Sequence, residues 1–219
     1  MTSWKIFLLI AGHTLLSLLV FSMIIAVLVF LFRKPMREYK HIDLRIFDKL
    51  DMHVTRARNR FMLFITFLGK HQFLVPANLL LIIYFLLVAR QNWFSIRITA
   101  IALSSLALML LLKNLFRRKR PLSPLLKAAR GLSFPSGHAI MAVTFYGLIL
   151  YIISHEMDID WLRYILCSLL FLLIILIGYS RIYLRVHYAS DVLAGFIIGL
   201  LWLLTELSVI SKVESLVTS

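Results

Sequence analysis

Apolar residues occur along this chain in long unbroken runs that are separated by short charged stretches. Crossing the hydrocarbon core of a bilayer takes about 20 residues of helix, with a range of about 17–25. Six runs reach that length and predict membrane-spanning helices over Ile6–Phe32, Phe73–Ala89, Ile96–Leu112, Ser136–Ile153, Leu162–Tyr179 and Val192–Ile210. The first run is too long for the apolar region of a signal peptide, so it is predicted to be a retained anchor.

Segment 33–60 has a different pattern, with nine Lys or Arg and four acidic residues. Its apolar residues recur at helical spacing, at Ile46, Phe47, Leu50, Val54 and Ala57. This pattern predicts an amphipathic helix that lies on the membrane surface between the first and second spans. The apolar stretch Phe61–Leu68 is predicted to lead from that helix into the second span.

Composition agrees with an all-α membrane protein, because 61% of the 219 residues are hydrophobic and the mean hydropathy is +0.91. A soluble domain would carry far more charge. We predict one domain over 1–219, in which 1–60 holds the first span and the interfacial segment and 61–210 forms the core. The net charge of +14 favours anionic lipid headgroups over nucleic acid as partners, since a chain buried in lipid leaves little surface for a duplex. The single cysteine, Cys167, excludes an intramolecular disulfide.

Polar residues are concentrated at the ends of three spans, in motifs of fixed spacing. Two crossings separate the second motif from the third, and the first two flank a single loop, so all three should emerge on one face of the bilayer. The motifs are Lys113-x6-Arg120-Pro121, Pro135-Ser136-Gly137-His138 and Ser180-Arg181-x5-His187-x3-Asp191.

The first two motifs have the chemistry of an anion site. Lys113 and Arg120 are two helical turns apart and share one face if the third helix continues to Pro121, which should end it. Ser136 is placed to cap the fourth helix, and Gly137 lets a ligand approach the backbone, where free amides and the helix dipole favour an anion. His138 follows directly and should point to the same place.

The third motif combines a nucleophile with an orienting group. His187 and Asp191 are four residues apart, which predicts neighbours on one helical face. A carboxylate that accepts one ring N–H fixes the tautomer and raises the basicity of the other ring nitrogen. Arg181 supplies a planar fork suited to phosphate oxygens.

Together the three motifs resemble, at every signature position and spacing, those of the type 2 phosphatidic acid phosphatase superfamily, which shares its pocket with vanadium haloperoxidases and bacterial acid phosphatases. The resemblance covers roughly residues 60–205. It implies that His187 attacks phosphorus and becomes a phosphohistidine, held by Asp191, while His138 protonates the leaving oxygen and then activates water. It implies that the phosphate oxygens are bound by Lys113, Arg120, Ser136, Gly137 and Arg181.

By this resemblance the protein is a membrane phosphatase that acts on a lipid phosphomonoester or diphosphate and needs neither a metal ion nor another cofactor. Three alternatives use the same pocket. A haloperoxidase is disfavoured because that branch is soluble and larger. A non-catalytic lipid-binding protein would need only the cations, whereas His138, His187 and Asp191 are all present. A lipid phosphotransferase would use identical residues, and the motifs do not distinguish among lipid substrates or indicate an oligomeric state.

Basic residues and the resemblance disagree about membrane orientation. On a six-span layout, eighteen Lys or Arg lie in the loops on the motif side and five on the other side, with Lys70 uncounted. The positive-inside rule would therefore place the motifs in the cytoplasm. The membrane branch of the family keeps its pocket on the outer, periplasmic or lumenal side. Because Lys113, Arg120 and Arg181 are explained by substrate, we follow the resemblance and predict a bacterial inner-membrane protein with a periplasmic site.

Overall fold

A computed structural model describes residues 21, 23, 24, 27, 30, 40–51, 54–121, 124–125 and 131–218. Every regular element in these ranges is helical. The helices are α1 (Lys40–Asp51), α2 (Arg56–Leu68), α3 (His71–Ile83, continued by a π-helical turn over Tyr84–Val88), α4 (Asn92–Phe116), α5 (Gly137–Glu156), α6 (Asp160–Tyr183) and α7 (Ala189–Thr218). The predicted first span, Ile6–Phe32, lies outside the described residues except for the five scattered positions above, which are helical.

Five helices in the described ranges are long and apolar enough to cross a bilayer. They correspond to the second to sixth predicted spans, and they are His71–Val88, Asn92–Phe116, Gly137–Glu156, Asp160–Tyr183 and Ala189–Thr218. Most helix ends lie beyond the predicted bounds, because helical hydrogen bonding continues through polar residues at the membrane boundary. Large apolar side chains such as Leu103, Leu169 and Leu200 point outward and are exposed, as expected for a surface that faces lipid.

Helix α5 lies at the centre of the bundle and packs against α4, α6 and α7. Its contact with α7 is close because two glycines one turn apart face it. A Cβ at Gly195 would lie 2.8 Å from the Cβ of Ala139, and one at Gly199 would lie 3.0 Å from the Cβ of Val143. Small residues at this spacing let two membrane helices approach at backbone distance. This contact brings the first turns of α5 and α7 together.

The prediction of a single amphipathic helix in segment 33–60 is wrong in one respect, since the described part of that segment belongs to two helices. Helix α1 ends at Asp51, Val54 and Thr55 are non-helical, and α2 begins with Thr55 as its N-cap. Helix α1 is amphipathic, with Asp43 and Phe47 buried. Ala57, which was predicted to share its apolar face, is exposed on α2. The N-cap explains the break, because Thr55 Oγ1 accepts a hydrogen bond from the backbone N–H of Arg58 at 3.3 Å.

Candidate active site

All three motifs meet at one end of the bundle, where α4 and α6 end and α5 and α7 begin. Lys113 Nζ, in the last turn of α4, donates to the carbonyl oxygens of Leu132 and Pro135, both at 3.0 Å. The backbone N–H of Ser136 donates to the carbonyl oxygen of Asp191 at 3.0 Å. These hydrogen bonds join the first motif to the second and the second to the third.

The predicted nucleophile pair is almost fully buried, with His187 1% and Asp191 0% exposed. Nδ1 of His187 lies 3.6 Å from Oδ2 of Asp191, which is slightly too long for a hydrogen bond. The spacing predicted that His187 and Asp191 lie on one helix, and this prediction is wrong. His187 belongs to the turn before α7, which begins at Ala189, so the two side chains meet where that turn enters the helix.

His187 is held in its neutral form. Burial lowers its pKa to about 4, Arg181 and Arg120 act in the same direction, and Asp191 opposes them without reversing the shift. On the other side of the ring, Nη1 of Arg120 lies 3.4 Å from Nε2. A guanidinium can only donate, so Nε2 carries the lone pair and Nδ1 the proton that faces Asp191. This is the tautomer that a nucleophilic Nε2 requires.

Arg120 reaches His187 by a different route from the one predicted. Helix α4 ends at Phe116, and Arg117 takes a left-handed conformation with φ 48°, so Arg120 follows in a non-helical segment. Its Nη1 donates to the carbonyl oxygen of Val186 at 2.8 Å and its Nε to that of Gly131 at 3.2 Å. Burial lowers its pKa from the usual value while Asp191 opposes that shift. The guanidinium is therefore fixed beside the ring by two carbonyls.

Arg181 occupies the last turn of α6 and is 3% exposed. Its Nη1 donates to Oγ1 of Thr66 at 2.5 Å, which ties α2 to the site. Lys113 uses two of its three N–H donors on backbone carbonyls, which leaves the third for a ligand. Lys113, Arg120 and Arg181 interact electrostatically with one another, so three cations surround one small space.

The second motif behaves partly as its sequence indicated. Ser136 is the N-cap residue of α5, but its hydroxyl makes no capping bond. Gly137 is required for helix packing as well, since a Cβ there would lie 2.4 Å from Sδ of Met109 on α4. His138 follows in the first turn of α5, within electrostatic range of His187 and the surrounding cations. The helix N-terminus therefore faces the space that the cations surround.

Four buried polar atoms at this site have no hydrogen-bond partner among the described residues. They are Oγ of Ser136, Nε2 of His138, Nε of Arg181 and Nδ1 of His187, which faces Asp191 at 3.6 Å. Buried polar groups are nearly always satisfied in native proteins. The free groups of Ser136, His138 and Arg181 are suited to bind a tetrahedral oxyanion next to His187, the predicted nucleophile.

Four further residues support the site and were not singled out from the sequence. Ser133 Oγ donates to Oδ2 of Asp191 at 2.5 Å, and Thr66 holds Arg181. Arg118 donates to Oδ1 of Asp191 at 2.6 Å, and Asp43 pairs with Arg118 at 2.9 Å. Of these four, only Asp43 could have been recognised from the sequence. It is an acidic residue four positions before Phe47, so the helical spacing places a charge on the buried face of an amphipathic helix.

An apolar groove of about 450 Å³ opens beside the site, between α1 and the ends of α6 and α7. Two polar residues line it, Asp43 and Ser190. Ser190 precedes Asp191 in the chain, and Asp43 accepts a hydrogen bond from the Ser190 hydroxyl. The apolar walls of the groove are formed by Ile42, Ile46, Ile182, Ala189, Val192, Leu193 and Phe196. The groove meets the polar network at Asp43 and Ser190, and its lining includes none of the predicted catalytic or phosphate-binding residues.

Comparison with known proteins agrees with the geometry. The sequence profile of the PAP2 superfamily matches residues 93–214, more than half of the chain and all three motifs. The chain belongs to the PAP2 superfamily. The family predicted from the motifs is therefore confirmed.

Relatives of this PAP2 protein include two named as phosphatases, one of which is described as transmembrane. Phosphatidylglycerophosphatase B of Bacillus subtilis (strain 168) is 32% identical over 145 residues, which is 65% of this chain and 70% of that protein. The crystal structure of a transmembrane PAP2-type phosphatidylglycerolphosphate phosphatase from Bacillus subtilis matches with a TM-score of 0.73 and 25% identity, over 90% of this chain and 96% of that one. The crystal structure of Aquifex aeolicus LpxE matches with a TM-score of 0.59 and 30% identity, over 75% of this chain and 94% of that one.

Proposed function

We propose that this PAP2 protein removes phosphate from a phosphorylated lipid through a phosphohistidine at His187, without a metal ion. The class itself, a membrane lipid phosphatase and hence a phosphoric ester hydrolase, follows from the family and from relatives named for that chemistry. The route of the reaction and the substrate are inferred from the site.

The arrangement of His187 carries the proposal. Its ring is buried and neutral, its Nε2 faces Arg120, and its Nδ1 faces Asp191. A neutral imidazole with an unprotonated Nε2 can attack phosphorus, and the positive charge that then develops on the ring is stabilised by the carboxylate behind it. A site that only bound phosphate would gain nothing from this orientation.

The other residues divide the reaction between them. Lys113, Arg120 and Arg181 stabilise the charge on the phosphoryl oxygens, together with the hydroxyl of Ser136 and the backbone N–H of Gly137. His138 enters the reaction protonated, a form that the negative charge of the bound phosphate favours. It donates that proton to the leaving oxygen as the Nε2–phosphorus bond forms and the bond between phosphorus and the leaving oxygen breaks. It then takes a proton from water, which attacks phosphorus, breaks that bond and returns His187 to its neutral form. Phosphoryl transfer depends mainly on positioning and electrostatic stabilisation, which these fixed cations supply.

A lipid substrate is supported by the apolar groove beside Ser190. We expect the purified protein to release phosphate from long-chain lipid phosphates. Leu193→Trp narrows the groove and should raise KM for such a lipid about tenfold. That factor corresponds to about 1.4 kcal/mol of lost binding free energy, which is the contribution of nearly two methylenes of the lipid chain that no longer become buried. The same variant should leave hydrolysis of a water-soluble phosphate ester unchanged.

Leu200→Trp is the matched control, since Leu200 is exposed on the same helix and does not line the groove. A panel of phosphatidylglycerol phosphate, phosphatidate, isoprenyl diphosphate and lipid A phosphates would identify the substrate class. Tight binding of these lipids without release of phosphate would instead identify a non-catalytic lipid-binding protein. An equal effect of both tryptophan variants would exclude the groove as the lipid site.

The site is proposed to face the periplasm. With Cys167→Ser as background, Lys119→Cys on the site side should react with a membrane-impermeant maleimide in intact spheroplasts. Asp158→Cys, in the loop between α5 and α6 at the other end of the bundle, should react only after the membrane is broken. Both positions are exposed. The reverse pattern would place the site in the cytoplasm, as the basic residues indicate.

A further inference from the structure

A chain of charged contacts runs from α1 to the candidate nucleophile pair. Asp43, 2% exposed, accepts a hydrogen bond from Nη2 of Arg118 at 2.9 Å, and Nη1 of Arg118 donates to Oδ1 of Asp191 at 2.6 Å. Ser190 closes the network, since its hydroxyl donates to Asp43 at 2.7 Å and its backbone N–H donates to the same carboxylate at 3.1 Å. One guanidinium thus joins two buried carboxylates.

A cation–π contact and an aromatic pair reinforce the same connection. The guanidinium of Arg118 lies over the ring of Tyr188, 4.1 Å from its centroid, and that ring packs against Phe47 at 5.9 Å. Asp43 and Phe47 are four residues apart, so one buried face of α1 supplies both contacts. The packing of α1 through Asp43 and Phe47 therefore determines the position of the Arg118 guanidinium.

The two oxygens of Asp191 have separate partners. Oδ2 accepts from Ser133 and from the backbone N–H of Tyr188 at 2.9 Å, and it is the oxygen that faces His187. Oδ1 pairs with Arg118. Rotation of this buried carboxylate would break its charge-assisted hydrogen bond with Arg118 and the two neutral hydrogen bonds to Oδ2. Arg118 thereby holds Oδ2 towards His187, although it contacts the oxygen that His187 does not face.

Resting on the proposed function, we infer that Arg118 and Asp43 are positioning residues for the His187–Asp191 pair. Through them the docking of α1 sets the rate of phosphoryl transfer. Both residues act through Asp191 and not on the phosphate, so their loss should lower kcat and leave substrate binding nearly intact.

Arg118→Gln and Asp43→Asn test this in the purified full-length protein with a lipid phosphate substrate. Each should lower kcat about 10- to 100-fold, by analogy with the loss found when the outer hydrogen-bond partner of a metal-binding side chain is removed, while KM changes by less than about threefold. The double variant should be no worse than Arg118→Gln, because both changes break one chain of contacts. Thermal unfolding in detergent should show a cooperative transition for every variant.

Lys119→Gln and Asp48→Asn are matched controls that remove the same charges at exposed neighbouring positions, and both should retain wild-type kcat. If Arg118→Gln does not fold, Asp43→Asn and Ser190→Ala carry the test. Wild-type kcat in Arg118→Gln or Asp43→Asn, or strictly additive losses in the double variant, would overturn the inference and leave the proposed function standing. A wild-type protein that releases no phosphate would overturn both.

Discussion

Replacing His187 by alanine should lower phosphate release by more than about 10⁴-fold, since removal of a catalytic nucleophile costs at least that much in comparable catalytic groups. The substitution removes the buried, neutral ring that lies between Arg120 and Asp191. His138→Ala should also be severely impaired, but for a different reason: the phosphohistidine forms and its hydrolysis is slow. The measurement is phosphate release, together with acid-labile radiolabel retained on the protein after incubation with labelled substrate.

His155→Ala is the control for this prediction, because His155 lies exposed at the far end of α5, where it hydrogen-bonds to Tyr151 and Ser154. It should keep wild-type activity. Label that accumulates in His138→Ala and is absent from the His187→Ala/His138→Ala double variant would locate the phosphoryl group on His187. Full activity in His187→Ala would exclude this residue as the nucleophile.

A second large loss is expected for Arg120→Lys. The guanidinium donates to the carbonyls of Val186 and Gly131 and still faces His187. A single ammonium lacks that planar fork. Loss of one donor aimed at the developing charge costs about 10²- to 10³-fold in kcat, and we expect kcat of Arg120→Lys to fall by that factor. Arg117→Lys, a conservative change at an exposed neighbour, should leave kcat unchanged.

If the fixed cations replace a metal ion, wild-type activity should persist in excess EDTA. Vanadate, which adopts the trigonal-bipyramidal shape of the transition state, should inhibit competitively. Arg120→Lys should weaken vanadate inhibition and lower kcat together. Vanadate and the transition state both need the guanidinium of Arg120 to bind their equatorial oxygens. Activity that disappears in EDTA and returns only with added Mg²⁺ would contradict the role assigned to Lys113, Arg120 and Arg181.

Sequence periodicity was sufficient for the membrane helices of the described core. The predicted spans Ile96–Leu112 and Leu162–Tyr179 lie within the helices Asn92–Phe116 and Asp160–Tyr183, which are long and apolar enough to cross a bilayer. Such runs are predictable because bilayer thickness fixes the length that an apolar helix needs. Their ends were less predictable. Helix α4 stops at Phe116 and not beside Pro121, since Arg117 adopts a left-handed conformation that no local residue signal announces.

For the site, the sequence by itself determined which chemical groups are present and on which ends of the helices they lie. Residue type and spacing are local properties, and they carry the family signature that includes His138, His187 and Asp191. The tertiary structure decided how these groups act. Burial among cations makes His187 neutral, and the close approach of α5 and α7 at Gly195 brings Ser136 to Asp191.

Only the tertiary structure joins α1 to the site. Asp43 and Arg118 are 75 residues apart, and no periodicity in either segment indicates that they meet. Their pairing is set by the packing of α1 against the beginning of α7, where a buried carboxylate is stable only with a partner charge. A contact of this kind depends on long-range packing, whereas the motifs depend on short-range spacing. For that reason the sequence identified the candidate nucleophile pair, and the structure alone revealed the residues that hold it in place.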